Sequence, residues 1–335
     1  DFNGITPAQV GDIFNNSLQD PFMQVFWMIV VVVLGFGICS LGLQNGVEKI
    51  TKIMMSSLLI IILILVIRAV TLPGRDGLAF YLIPNLAAIK QYGLLEIIFA
   101  AMGQAFFTLS LGIGAIAIFG SYIGKERRLF GETISVCTLD TLVALLSGLI
   151  IFPACFAFGV NPESGPGLVF ITLPSIFNEM WLGQVWGCLF FVFMSFAALS
   201  TIIAVFENII SFGMDLFNWS RKKAVVVNFI IILILSLPCA LGFNILSDIT
   251  PFGIGTTIQD LEDFLVTYNF LPLGSLAYLL FCTCRYGWGF DGFLQEANTG
   301  TGIKFPKWTK NYLKFILPCV IIFIFIQGYY TFFIK

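Results

Sequence analysis

The chain has no histidine in 335 residues, and Asp, Glu, Lys and Arg together make up only 11% of it. Without histidine there is no Ser-His or Cys-His nucleophile pair and no imidazole metal ligand. Seventeen basic against nineteen acidic side chains leave a formal net charge of −2, so no basic footprint for nucleic acid exists. Gly120-Ser-Tyr-Ile-Gly-Lys125 lacks the spacing and the hydroxyl residue of a phosphate-binding loop, which argues against nucleotide hydrolysis. The eight cysteines (Cys39, Cys137, Cys155, Cys188, Cys239, Cys282, Cys284 and Cys319) lie in or beside apolar runs. Their spacing fits neither zinc nor a disulfide framework, and they read as small hydrophobes. Residues 1–23 have no basic n-region of a secretory signal and read as the end of an extracellular loop.

What the sequence has in excess is apolar: 58% of its residues are hydrophobic and 37 are Phe, far outside the soluble average. Apolar runs near the roughly 20 residues that cross a bilayer fall at about 24–43, 50–72, 96–122, 131–158, 184–214, 224–243, 266–286 and 312–334. The expectation is an all-α polytopic membrane protein, with residues 24–335 forming one transmembrane domain of eight spans. Lys49, Lys52, Lys125, Arg127, Arg128, Arg221, Lys222, Lys223, Arg285, Lys304, Lys307, Lys310 and Lys314 all lie in or flank odd-numbered connections. Arg68, Arg75, Lys90 and Lys335 fall on the other side, with the acidic Asp248, Asp260, Glu262 and Asp263. The positive-inside bias therefore puts the odd connections in the cytoplasm and both ends of the chain outside.

One run departs from what an apolar helix needs. Gly103-Gln-Ala-Phe-Phe-Thr-Leu-Ser-Leu-Gly-Ile-Gly-Ala-Ile-Ala-Ile-Phe-Gly120 carries Thr108, Ser110, Gly112 and Gly114 at its centre, residues that weaken a helix. Two readings stand. Either the span is broken and its backbone lines a wet or liganded cavity, or the small residues form a face for close helix packing. Asp140 lies deep inside another apolar run and is either paired to a neighbouring helix or an oxygen ligand for a cation. Ala197 shares a helical face with Ser200, beside Thr201. Those hydroxyls either bond back to a carbonyl one turn earlier or serve a cation. Glu207 reads as a buried helix-to-helix hydrogen-bond partner outside any site.

The run Gly103–Ala115 resembles the sixth transmembrane helix of the neurotransmitter:sodium symporter family, in particular its bacterial eleven-helix amino-acid transporters. Gly165-Pro-Gly-Leu-Val-Phe-Ile-Thr-Leu-Pro174, Phe196-Ala-Ala-Leu-Ser-Thr201 and Leu271-Pro-Leu-Gly274 agree in order and spacing, so the resemblance covers essentially the whole chain. It implies a partial inverted-repeat symporter fold of the leucine-transporter type, with a broken helix at 96–122 and the eight spans matching the family's fourth to eleventh helices. The chain is then expected to lack the first three helices, which would be its missing partners in both ion and substrate sites. By this resemblance Thr108 and Asp140 contribute to sodium site one, where Asp140 replaces the family's usual Asn and supplies a charge that stands in for chloride. Ala144 occupies the place where other chloride-independent members carry a Glu. Ala197, Ser200 and Thr201 match sodium site two.

Phe107, Thr108, Ser110, Ile113 and Val205 match substrate-binding positions, and Tyr122 with Asp215 an inner gate whose Arg partner is absent. Asp215 reads equally as a solvated helix-end charge. Asp260 and Asp263 are weaker outer-gate matches, and Gly165–Pro174 resembles the external hairpin that plugs the outer vestibule. The implied activity is sodium-coupled symport of a neutral amino acid by alternating access, in a bacterial plasma membrane. Na⁺ is the coupling ion, and neither an organic cofactor nor covalent chemistry is expected. The alternatives are a non-transporting accessory protein derived from a partial symporter, and a channel. A channel should show polar residues along successive turns of several spans, whereas here they are confined to one cluster.

Overall fold

The computed structural model describes residues 7–159 and 166–333. Gly165 of the expected external hairpin, residues 1–6 and the terminal Lys335 lie outside the described residues. In chain order the helices are α1 (Pro7–Gln19), α2 (Pro21–Ser40), α3 (Lys49–Val70), α4 (Arg75–Leu82), α5 (Leu86–Tyr92), α6 (Leu94–Thr108), α7 (Ala115–Ser121) and α8 (Leu129–Ala157). They continue with α9 (Leu173–Glu179), α10 (Gly183–Phe217), α11 (Arg221–Leu241), α12 (Ile258–Asp263), α13 (Leu271–Thr283), α14 (Gly289–Ala297) and α15 (Leu317–Phe333). Wide π-type turns at Leu43–Glu48, Leu168–Thr172, Phe264–Phe270 and Tyr312–Ile316 lead into α3, α9, α13 and α15. Among the described residues the β-structure is one isolated parallel bridge, Arg127 with Thr301.

Seven of the eight expected spans are continuous helices of membrane length: Pro21–Ser40, Gly46–Val70, Leu129–Ala157, Gly183–Phe217, Arg221–Leu241, Ile258–Thr283 and Lys307–Phe333. The third, 96–122, is two short helices, α6 and α7. Several spans start earlier than their apolar runs. The span expected at 266–286 opens at Ile258 because Asp260, Glu262 and Asp263 occupy its first turns, where the helix dipole favours acids. The span expected at 312–334 opens at Lys307. The polar N-terminal stretch, read as loop, contains the 13-residue α1. It passes directly into α2 because the Asp20 side chain accepts hydrogen bonds from the Phe22 and Met23 amides at 3.0 and 3.2 Å, with Pro21 at the first helical position.

The chain forms two compact units, Asp1–Asn85 with Leu142–Ile258, and Leu86–Thr141 with Gln259–Lys335. In the first, one core cluster joins Leu58, Ile62 and Leu65 of α3 to Ile150 and Cys155 of α8, Leu173 and Ile176 of α9, and Phe190 and Phe193 of α10. A second joins Val32, Phe36 and Cys39 of α2 to Ile203, Phe206 and Ile210 of α10 and Ala224 of α11. Phe36 stacks on Phe206 with centroids 4.2 Å apart. Gly35 makes that approach possible, since a Cβ there would sit 2.6 Å from the Phe206 ring. The other faces of these helices stay apolar and exposed; α11, for example, buries only Ala224. That is the arrangement of helices whose outer solvent is lipid rather than water. The chain is a multi-pass membrane protein.

In the second unit Phe264, Tyr268, Tyr329, Phe332 and Phe333 form an aromatic cluster between α13's entry and α15. The Tyr329 hydroxyl donates to Asn269 Oδ1 at 2.5 Å, and Asn269 Nδ2 donates to the Phe264 carbonyl at 3.2 Å. These bonds brace the widened turn from its own side chain. At the far end, Arg128 Nε donates to the Asn298 carbonyl at 3.0 Å and the Thr301 amide to the Glu126 carbonyl at 2.8 Å. The connection after α7 is thereby clasped to the one after α14.

Candidate functional site

The second unit contains the expected break. α6 stops at Thr108, and the next residues fold back on it: the Ser110 amide donates to the Phe107 carbonyl at 3.0 Å and the Leu111 amide to the Phe106 carbonyl at 3.1 Å. This paired closure is a Schellman motif, which requires a left-handed residue at Ser110. Ser110 has φ +48, a conformation that costs a non-glycine residue on the order of 1 kcal/mol and that clusters at functional sites. Gly112 and Gly114 follow at φ +90 and +94, and α7 restarts with the Ile118 amide donating to the Gly114 carbonyl at 3.0 Å.

The break has a seat on α13. A Cβ on Gly112 would collide with the Leu271 carbonyl oxygen and lie 2.7 Å from the Ser275 amide. A Cβ on Gly274 would collide with the Gly112 carbonyl oxygen. The two glycines therefore let the unwound backbone lie directly on the first turns of α13, which accounts for the Leu271-Pro-Leu-Gly274 motif. Gly112 and Gly114 both belong to the break, and Gly112 also packs closely on α13, so the broken span and the close-packing face left open by the sequence meet at Gly112.

Phe107, Thr108, Ser110 and Ile113 are all on this turn, and Phe107 is 53% exposed. The Thr108 hydroxyl accepts from Gln104 Nε2 at 3.3 Å. Gln104 is a neighbour of the site that residue-type reasoning passed over; its position one helical turn before Thr108 is the signal that would have found it. Asp140 lies in the part of α8 that belongs to this unit and is half-buried. It makes no hydrogen bond or ion pair among the described residues. Tyr122, just past α7, packs its ring edge-on to Phe119 with centroids 6.3 Å apart.

The first unit holds the other oxygen cluster. The Ser200 hydroxyl donates to the Ala197 carbonyl at 2.8 Å and the Thr201 hydroxyl donates to the same carbonyl at 3.2 Å. The back-bonded arrangement is thus the one present, and it brings the three expected oxygens of Ala197, Ser200 and Thr201 to one point. Rotation of the two hydroxyl protons would turn all three into acceptors for a hard cation. Val205 follows one turn further along α10 and is half-buried. Asp215 is exposed near the end of α10.

Glu207 stands outside these clusters, as expected. Its side chain is 0% exposed and takes a fork from Arg221, with Arg221 Nη1 to Oε1 at 3.0 Å and Nη2 to Oε2 at 2.6 Å. Arg221 also donates to the Cys39 carbonyl through Nε at 3.1 Å and Nη2 at 2.8 Å. An arginine counted among the loop cations is thus an internal tie between α2, α10 and α11.

An interrupted span that carries hydroxyls and turned backbone inside an all-helical membrane protein is the arrangement of a secondary transporter. The chain belongs to the sodium:neurotransmitter symporter family, whose sequence model matches residues 9–334. It is 32% identical over 328 residues to the uncharacterized sodium-dependent transporter YhdH of Bacillus subtilis, covering 97% of this chain and 71% of that protein. It is 33% identical over 315 residues to an uncharacterized sodium-dependent transporter of Haemophilus influenzae, covering 92% of this chain and 66% of that protein. The crystal structure of MhsT in complex with L-phenylalanine superposes with a TM-score of 0.81 at 37% identity, covering 95% of this chain and 71% of that one.

Proposed function

We propose that the protein couples sodium to the movement of a neutral, apolar amino acid across a bacterial plasma membrane by alternating access. The observation that carries this reading is the broken span: its left-handed Ser110 and paired glycines hold Phe107, Thr108 and Ile113 on irregular backbone at membrane depth, which is tolerated where it lines a cavity. Thr108 with Asp140, and separately Ala197, Ser200 and Thr201, are the sodium ligands in this proposal; hard oxygen donors of this kind suit a hard cation. Phe107, Ser110, Ile113 and Val205 hold the substrate. Tyr122 and Asp215 are assigned to the inner gate, and the Lys- and Arg-rich connections to the cytoplasm.

Preference for an apolar side chain follows from the residues assigned to the substrate: Phe107, Ile113 and Val205 are apolar and Ser110 is uncharged, and Asp140 is reserved for the cation. Glu96 and Asp263 in the wall of the cavity beside Phe107 further disfavour acidic substrates. Burying a charged side chain without a partner costs several kcal/mol, whereas burying an apolar one gains roughly 1.5–3 kcal/mol. The relative solved with L-phenylalanine supports the same class. In proteoliposomes, uptake of radiolabelled phenylalanine or leucine should require an inward sodium gradient and be competed by neutral apolar amino acids. Stronger competition by lysine or glutamate would refute the pocket assignment, and uptake indifferent to sodium would refute the coupling.

A further inference from the structure

We infer that the segment Lys304–Lys314, with the turn that ends α13, is a docking surface for the headgroups of anionic phospholipids. Residues 303–316, Ile-Lys-Phe-Pro-Lys-Trp-Thr-Lys-Asn-Tyr-Leu-Lys-Phe-Ile, contain four lysines and no acid. Residues 303–306 lead into the last span, and residues 307–316 are its first turns. Lys304, Lys307, Lys310 and Lys314 are all exposed. Lys304, Lys307 and Lys314 form no ion pair among the described residues, and Lys310 has only a 3.5 Å contact to the exposed Asp291.

Aromatic side chains are interleaved with this charge. Trp308 is 79% exposed, and Tyr312, Phe315 and Ile316 are exposed beside it. The end of α13 offers the same combination in Arg285, Tyr286 and Trp288, all exposed. α14 leads back from that turn to the lysines, with Lys310 lying 5.5 Å over the Phe290 ring. Exposed Trp and Tyr belong at the headgroup level of a bilayer, and Lys stems lie along apolar surface while their ammonium groups reach outward. Unpaired cations at that depth face phosphate, and charge complementarity selects lipids with a net negative headgroup.

Some other basic groups are engaged within the protein. Lys52 pairs with Glu48, Arg221 with Glu207, and Lys223 sits 5.3 Å over Trp219. This surface depends on the chain's being a membrane protein and not on its transport cycle. The test titrates the detergent-purified protein with phosphatidylglycerol, phosphatidylcholine or free glycerol 3-phosphate and reads the unfolding temperature. Phosphatidylglycerol alone should raise it. The K304Q/K307Q/K310Q/K314Q variant should need far more of that lipid for the same rise, about fivefold per lysine removed. A K49Q/K52Q/K222Q/K223Q variant, equal in charge, should respond like the parent. If the four-lysine variant does not yield monodisperse protein, K304Q/K307Q serves in its place. An unchanged lipid response in these variants, an equal loss in the control variant, an equal effect of phosphatidylcholine, or an equal effect of glycerol 3-phosphate would each overturn the inference.

Discussion

Removing Arg221 should unfold the first unit at markedly lower temperature, although the residue opens a helix beside a polar connection. Its side chain is 24% exposed and its partner Glu207 is 0% exposed, so Arg221→Ala strands a carboxylate in the core and frees the Cys39 carbonyl at the same time. Breaking a buried pair by deleting one partner costs about 3–5 kcal/mol, because the remaining charge has lost its solvent and its counter-ion. For a protein of this size that is a fall on the order of 10 °C in unfolding temperature. Glu207→Gln/Arg221→Gln leaves no charge behind and keeps groups that can hydrogen-bond, so it should recover at least about 2 kcal/mol of the loss. Arg221→Lys should fall between, since it keeps the charge and loses the fork. Intrinsic tryptophan fluorescence during heating in detergent measures all three. A single mutant within about 1 °C of the parent, or a double mutant no more stable than Arg221→Ala, would refute the assignment of this pair as an internal tie.

Gly112→Ala should abolish uptake while the protein still inserts, because its Cβ collides with the Leu271 carbonyl and its φ of +90 is strained for alanine; normal uptake would show that the break is not seated on α13. Asp140→Ala should remove the sodium dependence of substrate binding, and the parent should transport with gluconate in place of chloride; an unchanged sodium response, or a strict chloride requirement, would release Asp140 from the ion site. Ser200→Ala with Thr201→Val removes two hydroxyl oxygens at similar volume and should raise the sodium concentration for half-maximal uptake at least several-fold. Wild-type sodium affinity in that variant would leave the pair as ordinary back-bonding.

The spans were legible in the sequence because lipid-facing and core-facing residues are both apolar, so a run of about 20 such residues reports a helix whichever way it faces. For the same reason the sequence could not say which face packs: Ile62 and Ile60 are alike in type, yet the first is 0% and the second 61% exposed. Helix starts are hidden from the sequence where polarity and helicity part company. Asp20 caps α2 inside a polar stretch that reads as loop, and Asp260, Glu262 and Asp263 stand inside the helical span rather than before it. Arg221 reads as a loop cation because its ion-pair partner lies fourteen residues away on another helix.

The break was legible for a different reason. Ser, Thr and Gly at the centre of an apolar span contradict local helix propensity, and a conflict of that kind between levels marks a functional or strained place. What stayed hidden is the part that makes it permissible. Gly112 and Gly274 lie far apart in the chain, yet a Cβ on Gly274 would meet the Gly112 backbone and one on Gly112 would meet the backbone of Leu271 and Ser275 in α13. A broken helix in lipid needs its freed backbone covered, and here the cover is the first turn of another span rather than anything beside the break. The motif Leu271-Pro-Leu-Gly274 therefore acts as the second half of the same feature. It follows that a bulky residue at Gly274 should disturb the site as severely as one at Gly112, although Gly274 touches neither ion nor substrate in the proposed mechanism.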